Sequence, residues 1–289
     1  MARIWSWTMT AGTLLLALLG CGGGGWSGGD PVTGITATNF KYGQVATLTL
    51  TGNALDNAIK LVSDKCAYVT LGAIESANTR HATCLVTATG PVHFTVSSST
   101  DYVVYNTTLT VPEPQVTFVT TLGTVVMELN PTAAPITVKN FLAYVNQSPS
   151  FYNGTLFHRV ISGFMAQGGG FTTGMNQKPK VPTGITLESQ NGLLNVRGSV
   201  AMAREGPPTG SPETDATRNS ATYQFFVNLV NNAFLNYASS SNPGYAVFGK
   251  VISGMDVIDL MAAQPTATKN GYSDVPVTDI TITSATQTQ

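Results

Sequence analysis

The chain has 289 residues, a net charge of −1 and only 10% charged side chains. That length accommodates one large or two ordinary domains, each with a buried core. No basic patch or charge run stands out, which argues against nucleic acid as a partner.

The first twenty residues stand apart. Arg3 and the amino terminus give a positive start, and an apolar run ending LLLALLG leads into Cys21. The run is too short for a membrane span and has the form of a secretory signal. Its ending, Leu18-Leu19-Gly20-Cys21, resembles the lipobox of bacterial lipoproteins. The resemblance implies cleavage before Cys21, lipid on its thiol and anchorage to a bacterial membrane facing the periplasm. Each buried methylene contributes ~0.8 kcal/mol to such an anchor. The absence of Asp after Cys21 points to the outer membrane. The alternative is an ordinary signal peptide with an incidental Cys. Residues 21–30 continue as GGGGWSGGD after the Cys, a flexible tether.

Residues 31–112 read as short strands. VATLTLT alternates around Leu48 and Leu50, and HATCLVTATG, VHFTVSSS and YVVYNTTLTV follow at short spacing. The pattern predicts a small β-sandwich and is similar to an immunoglobulin-like module. Cys66 and Cys84 form an even pair in an exported chain, expected as a disulfide, with two buried thiols as the alternative. No C-x-x-C is present, so redox catalysis is not expected. His81 and His93 lie in strand-like runs and make a weak metal site. The module serves as a spacer or as a docking surface.

PEPQ, from Pro112, reads as a stiff joint, because Pro fixes φ and offers no N–H. A second domain, 113–289, follows. VTFVTTLGTVVMEL predicts a hairpin turning near Leu122-Gly123. In APITVKNFLAYVNQ, Val138, Phe141, Leu142 and Val145 fall on one helical face. YQFFVNLV and YAVFGKVI read as buried strands. GMDVIDLMAA predicts a second helix burying Val257, Leu260 and Met261, and VPVTDITITSAT closes the chain as a strand. The expected class is mainly β: an antiparallel barrel, closed to remove unpaired edges and covered by two helices.

The stretch FHRVISGFMAQGGGF, beginning at Phe157, concentrates the chemistry. Gly168-Gly169-Gly170 could cradle phosphate only if a helix followed, and FTTGMNQKP is no helix start. His158 and Ser162 lack a nucleophile elbow and a third orienting group. His158 is the only His after residue 112, so a zinc site would lack its usual ligands. A core strand with a glycine bend would account for the apolar alternation.

The same stretch closely resembles the signature of the cyclophilins, the peptidyl-prolyl cis–trans isomerases. NGLLNVRGSVAMAR, SATYQFFVNLV, AFLN and YAVFGKVISGMDVID continue the match in the family's order, over roughly residues 115–284. The resemblance implies an eight-stranded antiparallel barrel capped by two helices. It implies catalytic roles for Arg159, Phe164, Gln167 and Phe226. It implies substrate contacts from Met165, Met202, Ala203, Gln224, Phe234, Leu235 and Tyr245. Proline-containing polypeptides are the expected partners, and no cofactor or metal is needed. Phe234 stands where the best-known eukaryotic members carry Trp, and Tyr245 where they carry His. Without the indole N–H, weak cyclosporin binding is expected.

These residue types suit the reaction. Rotation about an X–Pro bond crosses ~18–20 kcal/mol and takes tens to hundreds of seconds unaided. A turnover of ~10–10³ per second requires roughly a 10³–10⁵-fold gain, about 4–7 kcal/mol. No bond is made or cut, so no nucleophile is called for. In the twisted amide the proline nitrogen regains a lone pair that Arg159 can meet, a contact absent from the planar ground state. The segment Glu205 to Asn219, EGPPTGSPETDATRN, reads as an exposed loop longer than in compact bacterial relatives, expected to alter substrate preference or act as a lid.

Overall fold

A computed structural model describes residues 31–53, 55, 58–179 and 183–289. The expected signal peptide (1–20), the tether (21–30) and Cys21 lie outside the described residues.

Alternating burial builds the first two sheets. The strands are β1 (Val32–Thr38), β2 (Val45–Gly52), β3 (Ile59–Ser63), β4 (Cys66–Leu71), β5 (Thr79–Val86), β6 (Gly90–Ser98) and β7 (Val103–Val111). They pair antiparallel in the orders β1-β2-β5-β4 and β3-β6-β7. Leu48 and Leu50 are buried as their alternation predicts, in one cluster with Val92, Phe94 and Val96 of the other sheet. Cys66 and Cys84 are joined as a disulfide between the neighbouring strands β4 and β5, with Cα atoms 5.4 Å apart. His81 Nδ1 meets Glu75 at 2.7 Å and His93 Nδ1 meets Thr108 at 2.8 Å, so each imidazole has a local partner.

Pro112 and Pro114 occupy the joint after β7, and no ladder pairs β1–β7 with a later strand among the described residues. The two parts meet at the buried Gln287. Its amide donates to Tyr42 O at 3.0 Å and accepts from Gln44 at 3.2 Å and Asn146 at 2.7 Å, while Lys41 Nζ donates to its backbone O at 3.2 Å.

The second part begins with the hairpin β8 (Gln115–Thr120) and β9 (Gly123–Leu129), then α1 (Pro135–Val145). Pro135 opens α1, where its missing N–H costs nothing. Glu188 accepts from the backbone N–H groups of Ile136 and Thr137 at 3.1 and 2.8 Å, placing a carboxylate at the positive end of the helix. Strands β10 (Thr155–Ile161), β11 (Met165–Thr172), the two-residue β12 (Asn176–Gln177), β13 (Ser199–Met202), β14 (Phe225–Asn228), β15 (Val247–Ser253) and β18 (Ile282–Gln287) follow, with the hairpin β16 (Thr266–Lys269) and β17 (Tyr272–Pro276) before the last. Eight of them run β10-β11-β14-β13-β15-β9-β8-β18. Gly154 N donates to Ile282 O at 2.8 Å and Phe157 N to Ile280 O at 2.9 Å, bringing the two ends of the sheet together. The result is a nearly closed antiparallel barrel. Phe118, Phe141, Tyr152, Phe225 and Phe248 fill its interior, with ring centroids 5.0–5.7 Å apart along the chain of contacts from Phe118 through Phe225 to Phe248.

Two expectations change. In α3 (Met255–Ala262) the buried residues are Val257, Ile258 and Met261, and Leu260 is exposed. One residue of rotation, about 100°, separates Leu260 from Met261 and carries it out of the buried sector. The connection 205–219 is exposed along most of its length but is not featureless. It contains a helical turn, α2 (Asp215–Arg218), closed by reciprocal hydrogen bonds between Thr214 and Thr217. The glycines of Gly168-Gly169-Gly170 lie within β11 at an irregularity of its register with β10, where Gly169 takes φ +85, and a side-chain carbon on Gly170 would collide with the Gln224 amide.

Candidate active site on the outer face of the barrel

Register alone assembles the site. Residues directly opposite in antiparallel strands place their side chains on the same face. Arg159 of β10 pairs with Gln167 of β11, Gln167 with Phe226 of β14, Phe226 with Ala201 of β13, and Ala201 with Val247 of β15. A single row therefore crosses five strands from a guanidinium to an apolar floor. The adjacent row, Val160, Ala166, Val227 and Val200, points the other way, into the barrel interior. The site thus lies outside the barrel, on the reverse of its core.

The apolar floor is a cluster separate from the main core: Met165, Ala201, Phe226, Leu235 and Val247 buried, with Phe164, Ala203 and Tyr245 among the residues packed around them. Tyr245 meets Phe226 edge-on at 5.6 Å, forming a wall. Phe234, on the short 3-10 turn Ala233–Leu235, stacks on Phe164 at 5.6 Å and stays 66% exposed, so it forms a rim, while Leu235 turns inward. Gln167 Nε2 donates to Gln224 Oε1 at 2.9 Å, and Gln224 lies flat on Gly170. This tie fixes Gln167 between Arg159 and Phe226. Arg159 is 42% exposed, and its Nε stands 3.7 Å from Asp274 of β17. Asp274 sits at φ +61, a left-handed conformation that Asp tolerates better than most residues.

Met202 departs from its expected substrate contact. It is buried in the main core opposite Phe225, because strand alternation sends Ala201 and Ala203 outward and Met202 inward. The other expected positions, Arg159, Phe164, Met165, Gln167, Ala203, Gln224, Phe226, Leu235 and Tyr245, gather on or beside the outer face, with Phe234 at its edge.

Residues 115–287 match the family described as cyclophilin type peptidyl-prolyl cis-trans isomerase/CLD. The chain belongs to the cyclophilins. It is 49% identical over 165 residues to a peptidyl-prolyl cis-trans isomerase of Acinetobacter baylyi, covering 57% of this chain and 80% of that one. It is 48% identical over 168 residues to peptidyl-prolyl cis-trans isomerase cyp18 of Streptomyces antibioticus, covering 57% and 93%. Against peptidyl-prolyl cis-trans isomerase B of Escherichia coli it is 47% identical over 174 residues, covering 59% and 98%. The cyclophilin barrel of this chain is therefore a peptidyl-prolyl cis–trans isomerase domain, and the strands before residue 112 are additional to it.

Behind Arg159 the cyclophilin domain buries His158. Its ring packs on Phe171 at 4.5 Å, Phe171 packs on Tyr272 of the β16–β17 hairpin at 4.8 Å, and Nδ1 has no partner. Burial lowers its pKa to about 4; the Leu156 backbone and the Gln224 side chain oppose that shift, and the Arg159 charge reinforces it. An unfolded His titrates near ~6.5. Between these two values the unfolded chain binds more protons, so stability is full above the higher pH and declines as pH falls toward the lower one. The decline from this group is on the order of 3 kcal/mol in all. Denaturant midpoints between about pH 7 and pH 4.5 should fall less steeply in His158→Gln than in the wild type. Parallel curves would remove His158 as the source.

Asp274, Val247 and Ile161, the last packed against the apolar cluster, were not evident as site residues in the sequence. Asp274 lies far from Arg159 along the chain and is brought there only by the β16–β17 hairpin. Ala201 was legible in principle, since it alternates with Ala203 across Met202.

Proposed function

We propose that the protein is an exported, lipid-anchored prolyl isomerase that assists the folding of proteins outside the cytoplasm, with Arg159 stabilising the twisted X–Pro amide. The observation that carries the catalytic part is the cross-strand row that sets a half-exposed guanidinium at the edge of an apolar floor. Met165, Phe226 and Leu235 receive the proline ring, and Phe164 and Tyr245 flank it. Gln167, held by Gln224, orients the neighbouring backbone. As the amide twists, the proline nitrogen becomes pyramidal and accepts from Arg159, a hydrogen bond that strengthens only on the way to the transition state. Proline-bearing polypeptides are the substrates. Cyclosporin binding is weak, because Phe234 offers no N–H.

Anchorage rests on the sequence before residue 31. The run ending Leu-Leu-Gly-Cys and the Gly-rich segment after it support lipid on Cys21 and an outer-membrane location facing the periplasm. The first module, 31–112, holds the barrel away from the bilayer. Its four-plus-three strand order is that of constant-type immunoglobulin domains, which supports the immunoglobulin-like reading. Its disulfide, however, lies within one sheet rather than between two. Expression in a Gram-negative host with radiolabelled palmitate tests the anchor. The wild-type chain should label and sediment with outer membranes. Cys21→Ala should do neither, and equal labelling of both would remove the anchor from the proposal.

A further inference from the structure

An ion pair lies against the Tyr245 wall of the pocket. Arg204 follows Ala203, which packs on the pocket floor, and its guanidinium carbon lies 4.9 Å from the centre of the Tyr245 ring. Nε donates to Gly244 O at 2.9 Å and one terminal amino group donates to Glu205 O at 3.1 Å. The other meets Glu213 Oε1 at 2.9 Å, with the two side chains only 5% and 7% exposed. The second oxygen of Glu213 accepts from Thr217 Oγ1 at 2.7 Å, in the turn that α2 fixes. Ser220 Oγ accepts from Glu205 N at 2.7 Å and donates to Thr217 O at 2.7 Å, tying the two ends of the connection together. The segment is therefore latched to the wall of the pocket through one buried cation and one buried anion.

The consequence is electrostatic. Although covered by neighbouring side chains, the pair lies near the surface, so the field of either charge alone would reach a ligand lying along Tyr245 and would be weakened by salt. Arg204 alone would draw a carboxylate to that wall, and Glu213 alone would draw an ammonium. Paired, they cancel. We infer that Glu213 and Arg204 are specificity-determining residues, which hold the Tyr245 wall neutral and so let the enzyme accept proline flanked by residues of either charge. The inference rests on the reading that proline peptides bind between Phe226 and Tyr245, and it adds that the connection 205–219 is a fixed wall rather than a moving lid. The functional value of neutrality is breadth: a wall with unpaired charge would sort unfolded chains by the residues next to proline.

The test is a set of proline tetrapeptides differing only in Glu, Ala or Lys beside the proline, assayed with the full mature chain. The quantity read is the ratio of kcat/KM for Glu to Lys peptides. It is expected near one in the wild type. Glu213→Gln should raise it about five- to ten-fold, and Arg204→Gln should lower it by a similar factor, the effect of a single charge of about 1–1.4 kcal/mol. The double variant should restore the wild-type ratio, and added salt should shrink the shift in each single variant. If one single variant does not fold, the other still carries the prediction, because each predicts a defined direction. Single variants that leave the ratio within two-fold of wild type, or move it the same way, overturn the inference. A wild type that fails to turn over even the Ala peptide would instead overturn the reading of the pocket itself.

Discussion

Arg159→Ala is expected to lower kcat/KM for a proline tetrapeptide by about 10²–10³-fold, the loss seen when a single preorganised donor to a developing charge is removed. The fall should lie in kcat. A hydrogen bond to the pyramidal nitrogen exists in the twisted state and not in the bound planar amide, and KM reports the latter. Stability should hardly change. Arg159 is 42% exposed and its carboxylate neighbour among the described residues, Asp274, is 40% exposed. Exposed pairs of this kind contribute ~0.2–1 kcal/mol. Arg159→Lys should recover only part of the rate, because a Lys ammonium is a point donor without the planar fork that Asp274 approaches from its Nε side. Single-turnover line-shape measurements on the peptide, with circular dichroism of each variant, would decide the matter. A folded Arg159→Ala with wild-type kcat would exclude the guanidinium from the chemistry and leave a pocket that binds proline without Arg-assisted turnover.

Local pattern made the barrel legible, and its limits follow from what local pattern omits. The helix α1 was readable because Val138, Phe141, Leu142 and Val145 repeat at helical spacing and all four are buried. The same reasoning failed for α3. Over only eight residues, two candidate stripes differ by one position, and the choice of Ile258 over Leu260 is made by which side rests on the barrel. Strand alternation assigned Leu48 and Leu50 to the core of the first module. Applied to VAMA it would also have assigned Met202 to the interior.

The site divides in the same way. Phe164, Met165 and Gln167 share one short motif and were assigned by the resemblance that motif carries, since their apolar alternation alone reads as core strand. The functional argument for Arg159 came from resemblance, and the register of five strands then gave it a physical basis. What stayed hidden depends on distant segments meeting. Asp274 reaches Arg159 through a hairpin more than a hundred residues later in the chain. Glu213 sits in a Pro- and Gly-rich stretch that composition marks as loop, yet its side chain is only 7% exposed. Composition reports the average solvent exposure of a segment and says nothing about one side chain within it that has an opposite charge to meet.

Phe225 and Phe226 are adjacent, similarly buried and chemically identical, and their replacement should fail in different ways. Phe225 points inward, touching Phe118, Phe141, Tyr152 and Phe157 at centroid distances of 5.4–5.8 Å. Phe225→Ala leaves a closed cavity among those rings and should cost about 3–5 kcal/mol, a large part of the ~5–15 kcal/mol that holds a domain folded. Phe226 points outward, into the small cluster with Met165 and Leu235. The space it vacates opens to solvent, so the cavity contribution is absent and the transfer cost alone, about 1.5–3 kcal/mol, remains. The activities should reverse that order. Phe226→Ala removes the surface against which the proline ring packs and should reduce kcat/KM at least ten-fold for each folded molecule. Phe225→Ala should reduce it mainly by lowering the folded fraction, and activity should return in a stabilising osmolyte such as trimethylamine N-oxide, which strengthens burial. Urea midpoints and osmolyte-rescue assays on the two variants separate these cases. Equal loss of stability in both, or osmolyte rescue of Phe226→Ala, would mean that the outer cluster is core rather than pocket, and the binding site would have to be sought elsewhere on the barrel.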